Sequence, residues 1–422
     1  MGKTKIILYL ILSLYGLIGY SPYFKAIDQV APQWLELSIL NVLTLLFFQF
    51  NNSSKSTLNH LFKSFKNPIV ISLLCFSVWG LISFTYAINT SEVIIKFSQW
   101  INVILSISIV YVIIKELKIN FFNFSVFMSI LLSIEVFASM KQFFELIQIR
   151  DFEFGLAGNI KGLTGNKNIT SASIAIKIPF LINILWSAKK QLVILVSSVL
   201  LFISYLDLIF LSSRAVYISI LSVNILIFLF YFIFKKFQLT DYNLGLKNLL
   251  LSLGIFLGSL TFSVIYLGED NSANVTKRIQ TINFEDESTN DRIRYYNHAI
   301  SHFLQNPIIG TGWGNWKIKS IDYDSNNMKS YVVPYHVHND FLEILTELGI
   351  IGLLFYLIPF VYIAFTFLRG INSIWGKELF FICLALLVYF IDANLNFPHA
   401  RVINQLSFVF IASFALNLID DK

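Results

Sequence analysis

The stretch of the chain best equipped for chemistry is residues 336–349, which read HVHNDFLEILTELG and lead into a long apolar run. His338 can act as a base near neutral pH, because the reference pKa of an imidazole is about 6.5. On a helix that begins here, Asp340, Glu343 and Glu347 share roughly one face. Carboxylates beside an imidazole can fix its tautomer and raise its basicity. Two alternatives stay open: an ordinary polar helix end, and a zinc site of His336 and His338 with the acids, whose spacing requires an extended segment.

A second candidate group lies about 45 residues earlier, where Ser288 and Asp291 resemble a capping box. Apolar residues then recur at helical spacing, and Asn306-Pro307 ends the run, so the sequence predicts an amphipathic helix over 290–305. Its first turn carries Arg292 and Arg294. A helix N-terminus with two guanidinium groups suits a phosphate. The alternative is a solvated cationic face.

Between these groups lies a glycine-rich stretch, residues 310–316, which read GTGWGNW. Glycine alternation of this kind is weak evidence of nucleotide binding, because no strand precedes it and no clear helix follows. The pattern favours a turn whose two aromatic residues, Trp313 and Trp316, rest at the membrane interface. Either ring could instead stack on a sugar.

The elements that must position these residues are membrane helices. Only 13% of the 422 residues are charged and 56% are hydrophobic, whereas a soluble domain carries roughly 25% charged residues. The net charge of +6 therefore says little about nucleic acid, and no nucleic-acid partner is expected. Cys75 and Cys383 both fall inside apolar runs, which indicates neither a disulfide framework nor a metal site.

A bilayer span needs about 20 mostly apolar residues in a helix, and the chain offers twelve such segments. They lie near 5–22, 34–50, 68–87, 94–114, 123–146, 169–187, 191–211, 215–234, 248–267, 341–368, 378–394 and 402–419. The predicted organisation is one integral membrane domain: nine spans in 1–267, a large loop at 268–337, and three spans in 338–422. The fold class is thus an all-α membrane protein.

Lysines set the predicted orientation. Most lie in the short loops on the side of both termini, as in Lys189-Lys190 and Lys235-Lys236, whereas the opposite short loops hold few cations. The positive-inside rule places both termini in the cytoplasm, so the large loop is expected outside.

Ionisable residues within or beside the spans are costly and are candidates for function. Arg214, in the sequence LSSRA, stands at the outer end of a span, at the depth expected for His338 and Arg292. Two arginines and a histidine at the outer membrane face suit a lipid-linked diphosphate. Four deeper residues have no partners that the sequence identifies: Glu135, Lys177, Asp207 and Asp392.

At this level the chain resembles the O-antigen ligase and O-antigen polymerase superfamily of bacterial envelope glycosyltransferases. The resemblance rests on the hydropathy, on the large loop before the tenth span, and on four local patterns. These are GNKN at 165–168, Ser213-Arg214, Arg292 before Tyr296 with NPIIGTG at 306–312, and His338-Asn339 followed by ELG at 347–349. The family usually has Pro at the position of Lys167 and often Trp at that of Tyr296.

The resemblance implies a GT-C-like, metal-independent, inverting glycosyltransferase that needs no cofactor and lies in the bacterial inner membrane with its active site facing the periplasm. The donor would be a glycan on undecaprenyl diphosphate, and the acceptor a sugar hydroxyl, on lipid A-core for an O-antigen ligase. His338 would be the catalytic base. The residues expected to bind substrate are Arg214, Arg292, Asn168, Glu347 and His336.

Three activities remain open on the sequence: ligation of a finished glycan to lipid A-core, polymerisation of the glycan or its transfer to protein, and transport of lipid-linked glycans. Against transport, the two halves show no matching pair of Gly/Pro-broken helices, and the polar groups gather at one face. No residue separates the ligase from the polymerase.

Overall fold

The computed structural model describes residues 2–28, 30–50, 54–237, 246–268, 270–280, 287–327, 333–373 and 375–420. Sixteen α-helices occur in these residues, and no strand. The helices are α1 (Lys3–Leu17), α2 (Ala31–Phe50), α3 (Ser54–Ser64), α4 (Pro68–Ile82), α5 (Thr90–Leu117), α6 (Phe121–Ile147), α7 (Lys167–Ser187), α8 (Gln191–Leu211), α9 (Arg214–Phe237), α10 (Leu246–Leu267), α11 (Val275–Gln280), α12 (Glu287–Gln305), α13 (Trp316–Asp324), α14 (Asp340–Gly370), α15 (Gly376–Leu395) and α16 (Val402–Asp420). Short 3₁₀ turns cover Ile18–Tyr20, Ser83–Thr85, Phe154–Asn159, Ser325–Asn327 and Pro398–Ala400.

Twelve of these helices are long and apolar enough to cross a bilayer, counted over the described residues. They confirm the predicted spans to within a few residues at each end, and with them the prediction of an all-α, multi-pass membrane protein. The predicted cytoplasmic loop at 235–247 includes 238–245, which lie outside the described residues.

Asparagine caps begin four of the spanning helices. The side chains of Asn67, Asn89, Asn120 and Asn166 each accept a hydrogen bond from a backbone N–H in the first turn of the following helix. A short polar side chain at this position satisfies amides that have no partner within the helix. The GNKN pattern at 165–168 is therefore, in its second residue, the cap of α7.

The helices form two compact units that do not follow chain order. The first contains residues 1–118, 284–365 and 393–422, and the second contains 119–283 and 366–392. In the first unit α16 packs along α5 and is buried over almost its whole length. In the second, α7 is enclosed by α6, α8, α9 and α10. Both helices are apolar along most of their circumference, which suits an interior position.

Three of the four deep ionisable residues, Glu135, Lys177 and Asp207, are paired with each other or with hydroxyls in the second unit. Lys177 Nζ lies 2.9 Å from Glu135 Oε1 and 2.7 Å from Ser173 Oγ, and Ser139 donates to the Asp207 carboxylate. All are buried. Burial of an unpaired charge is costly, and these contacts reduce that cost.

Candidate active site

The outer loop from residue 284 onward and the start of α14 belong to the first unit, and hydrogen bonds at a break in α14 hold them together. Gly349 has φ 65° and ψ −169° inside this helix. The break leaves backbone groups without helical partners, and the loop satisfies them. Thr311 N–H donates to Thr346 O at 3.0 Å, Gly312 N–H donates to Glu347 O at 2.9 Å, and Ile350 N–H donates to a loop carbonyl at 2.9 Å. Non-helical backbone at membrane depth requires such protein partners.

The glycine-rich turn places its aromatic rings in the core. Gly310, Gly312 and Gly314 all have positive φ, and Trp313 and Trp316 are almost fully buried. The ring of Trp313 packs against Gly80 of α4, where a Cβ would lie 2.1 Å from the ring. The prediction that these rings rest at the membrane interface is wrong, because they anchor the loop to the helices. Neither ring is exposed to stack on a sugar.

Glu347 closes this turn. Its two carboxylate oxygens accept hydrogen bonds from the backbone N–H groups of Gly314 at 2.8 Å and Trp316 at 3.1 Å, and the side chain is buried. These contacts fix the loop on the first turns of α14. The role of Glu347 in substrate binding stays a prediction.

The amphipathic helix is confirmed as α12, but it begins earlier than predicted, at Glu287. Arg292 and Arg294 consequently lie in its second turn, not at its N-terminus. Arg294 forms ion pairs with Asp291 at 2.9 Å and Asp324 at 2.7 Å, so its charge is already engaged. Arg292 is partly exposed and forms no hydrogen bond or ion pair within the described part of the chain. Of the two arginines, Arg292 is the one that can take a phosphate.

His338 lies in the extended segment before α14 and has φ 62°, a left-handed conformation that costs a non-glycine residue about 1–2 kcal/mol. The surroundings hold it there. Its carbonyl accepts a hydrogen bond from Tyr296 Oη at 3.0 Å, and its ring lies between Tyr295, with centroids 6.3 Å apart, and Phe397, at 5.1 Å. Strained backbone of this kind clusters at functional sites.

The imidazole of His338 is neutral at physiological pH. Burial lowers its pKa, and the positive charge of Arg292 and the neighbouring His336 lower it further, to about 4. Its Nδ1 atom is buried without a hydrogen-bond partner among the described residues. The neutral ring can therefore accept a proton, but no carboxylate among the described residues orients it.

The three acids of α14 contact other groups than predicted. The expectation that carboxylates orient His338 is wrong. Glu343 lies 3.0 Å from Nδ1 of His336, and Asp340 lies 2.5 Å from Nδ1 of His399. A cross-contact of 3.4 Å joins Nε2 of His399 to Glu343. The result is a row of alternating acids and imidazoles that is buried except at His336, whose side chain is 24% exposed.

His399 is the functional candidate that sequence reasoning missed. It lies in the short 3₁₀ turn between α15 and α16, and its side chain is almost fully buried. Burial alone would lower its pKa, but the adjacent Asp340 raises it above the ordinary value. For His336 burial prevails over the attraction of Glu343, and the pKa is lowered. The position of His399 in a loop on the same predicted side as His338 was the available signal.

Metal ligation receives no support from this row. Within the described ranges, no group of three or more His, Cys, Asp or Glu is arranged to hold a metal ion. His336 and His399 direct their Nδ1 atoms at carboxylates, as expected for hydrogen-bonded pairs.

Two predicted substrate ligands belong to the second unit. Asn168 is the second residue of α7, and its N–H donates to the capping Asn166 at 2.9 Å. Arg214 begins α9 after a two-residue turn in which Ser212 has φ 52°. Their roles in binding stay predictions.

Comparison with known proteins gives matches to one family. The profile described as O-antigen ligase matches residues 196–357. A predicted polysaccharide ligase of Rickettsia conorii is 30% identical over 146 residues, which is 34% of this chain and 34% of that protein. Another from Rickettsia felis is 29% identical over 129 residues, 30% of each chain. The alignments thus span about a third of these relatives. The matches show that this chain is similar to O-antigen ligases over residues 196–357 and to polysaccharide ligases over about a third of its length.

Proposed function

We propose that this protein transfers a glycan from undecaprenyl diphosphate to a sugar hydroxyl of an acceptor, and that the acceptor is lipid A-core at the periplasmic face of the bacterial inner membrane. The observation that carries the proposal is the neutral, unpaired imidazole of His338 within the electrostatic reach of Arg292, which has no partner among the described residues. The first group can accept a proton and the second can bind a phosphate.

In the proposed reaction the acceptor hydroxyl gives its proton to His338 while its oxygen attacks the anomeric carbon of the donor. The bond from that carbon to the diphosphate oxygen breaks with inversion, and its electron pair leaves with undecaprenyl diphosphate. Arg292 stabilises the charge on the leaving oxygen, and for Arg214 we propose the same contribution. A single donor placed at a developing charge is worth about 3–4 kcal/mol. No step uses a metal ion.

Donor binding also strengthens the base. The positive charge of Arg292 is one cause of the low pKa of His338, and a diphosphate bound to this arginine would offset it. The pKa of His338 should therefore rise when the donor is bound, so that proton transfer becomes favourable in the complex with the donor.

The direct test uses purified full-length protein in nanodiscs with EDTA present, with donor binding and single-turnover transfer measured separately. His338→Ala should abolish transfer and leave donor affinity nearly unchanged, because the imidazole contacts the acceptor. Arg292→Ala should weaken both. Near-normal transfer by His338→Ala would remove this histidine as the base, and loss of wild-type activity in EDTA that zinc restores would contradict the metal-free mechanism.

A deletion strain separates ligation from polymerisation. Loss of a ligase leaves long glycan chains on the lipid carrier. Loss of a polymerase instead leaves single repeat units on the core, and that outcome would replace the acceptor named here.

A further inference from the structure

The second unit contains a continuous apolar groove along α6 and α8. Two cavities, of about 750 and 500 Å³, share the lining residues Ser133, Leu200 and Ile203. The first extends from there to the start of α8, and the second extends to its end, where α10 adds Phe262 and Tyr266. Because the cavities meet at common residues, they form one groove along most of the length of α8.

The lining of this groove is suited to hydrocarbon. Serines occur in it, but Ser133 and Ser197 donate their hydroxyls to carbonyls of their own helices at 2.7 and 2.6 Å. The half of the groove near the end of α8 is lined largely by aromatic rings, among them Phe143 and Phe210, which stack 4.2 Å apart. Ser129 also lines the groove, and its Oγ is buried without a hydrogen-bond partner among the described residues. The remaining lining is apolar and offers an occupant mainly dispersion contacts.

The length of the groove identifies the kind of chain that fits. On α8 the lining runs from Leu192 to Phe210, which is about 27 Å at a rise of 1.5 Å per residue. The hydrocarbon core of a bilayer is about 30 Å thick, so an acyl chain from one leaflet covers only about 15 Å. A single chain that fills the groove must therefore be longer than a phospholipid tail.

The end of the groove at Phe210 also lies close in sequence to a cation. α8 ends at Leu211, and Arg214 begins α9. An occupant with an anionic head and a long apolar tail would meet a guanidinium group at one end and hydrocarbon along the remainder.

We propose that this groove binds the isoprenoid tail of the lipid-linked donor, with the diphosphate at the Arg214 end and the last isoprene units near Leu192. The proposal rests on the proposed function, since it places part of that reaction's donor. It adds a tail site in the second unit that selects a chain long enough to cross the bilayer.

The test uses undecaprenyl diphosphate with a photoreactive diazirine on its last isoprene unit, bound to full-length protein in nanodiscs. Labelling is expected on α6 near Val126 and on the first turns of α8. Unlabelled undecaprenyl diphosphate should compete, whereas excess phospholipid should not. Labelling elsewhere in the protein, or equal competition by phospholipid, would overturn the proposal and indicate ordinary lipid in the groove.

A substitution at the junction of the two cavities provides the second readout. Ile203→Trp should block the groove and reduce labelling at least tenfold, and the same replacement at Leu221, a lipid-facing position on α9 that is 52% exposed, should not. If Ile203→Trp fails to fold, Ser133→Phe obstructs the same junction. Unchanged labelling in a folded junction variant would refute the site.

Donor length separates this proposal from the proposed function. Wild-type protein should show a KM at least tenfold lower for an undecaprenyl donor than for a farnesyl donor carrying the same glycan, and Ile203→Trp should abolish the difference. Transfer without any preference for tail length overturns the groove and leaves the glycan transferase standing. Specific labelling of the groove in a protein that transfers no glycan overturns the transferase and leaves the groove as an isoprenoid site.

Discussion

Arg292 should set the pH range in which His338 works. Burial is the largest cause of the low pKa of His338, and the charge of Arg292 comes next. Arg292→Gln removes that charge and leaves the burial in place. The pKa of His338 should therefore rise from about 4 part of the way toward its reference value of about 6.5. The sign follows because loss of a nearby cation favours the protonated imidazole.

A rise of one unit is enough to measure. At pH 4.5 an imidazole with a pKa of about 4 is about 76% neutral, and one with a pKa of about 5 is about 24% neutral. Relative to its own plateau at neutral pH, Arg292→Gln should thus lose about threefold more kcat/KM at pH 4.5 than the wild type. The absolute plateau should fall as well, because the diphosphate loses a ligand.

Profiles of kcat/KM from pH 4 to 8 in nanodiscs provide the assay, since this ratio reports groups of the free enzyme. Arg292→Lys keeps the charge and loses the bidentate fork, so its plateau should fall while its acid limb stays in place. Arg294→Gln is a second control, because Arg294 is not among the causes of the low pKa of His338. An identical acid limb in the Gln and Lys variants, or a wild-type limb near 6.5, would refute the reasoning.

Three further predictions follow from the fold. Gly349→Ala should lower the thermal stability by several degrees, because a Cβ there would lie 2.0 Å from a carbonyl oxygen of the docked loop and positive φ adds about 1–2 kcal/mol. Gly258→Ala, which meets no atom within 4 Å, is the matched control, and equal melting temperatures of the two variants would contradict the docking of the loop at the break in α14. In a background without the native cysteines, a periplasmic thiol reagent should modify Asp322→Cys and spare Lys189→Cys, both at exposed positions; the reverse pattern would invert the orientation. His399→Gln should destabilise the protein by about 3–5 kcal/mol, since it leaves buried carboxylates unpaired. Because the pKa of His399 in the folded protein is raised, that loss of stability should be greatest below pH 6.5 and shrink as pH rises through the folded pKa. Thermal unfolding of wild type and variant at several pH values measures the difference. A difference in stability that widens at alkaline pH would contradict the pairing of His399 with Asp340.

The candidate site was only partly predictable from the residues. Spacing placed Asp340, Glu343 and Glu347 on one helical face correctly, since helix geometry is local. Their partners were not predictable, because the outer ends of several helices supply them. His399 comes about 60 residues later in the chain than Asp340, and its backbone N–H and Nδ1 both contact that carboxylate.

The two arginines of α12 show the same division. Their types and positions on an amphipathic helix were evident from the sequence, but they appeared equivalent. Only packing distinguishes them: α13 brings Asp324 to within 2.7 Å of Arg294, whereas Arg292 forms no ion pair among the described residues. Arg294 and Asp324 are 30 residues apart, so their contact depends on the path of the loop between them. The spacing of hydrophobic residues in the sequence does not predict that path.

The sequence by itself determined the class of this protein, the number of its membrane helices and the segment that holds its candidate base. These properties follow from composition and from runs of about 20 apolar residues. Each run is long enough by itself to cross the bilayer as a helix, independently of contacts with distant residues. The tertiary structure decided which polar groups remain unpaired. Tertiary hydrogen bonds at the break in α14 dock the loop against its outer turns. Packing leaves His338 within the electrostatic influence of Arg292, while the acids pair with His336 and His399. A buried group's protonation and availability depend on all its neighbours in space, and these are supplied by segments far apart in the chain.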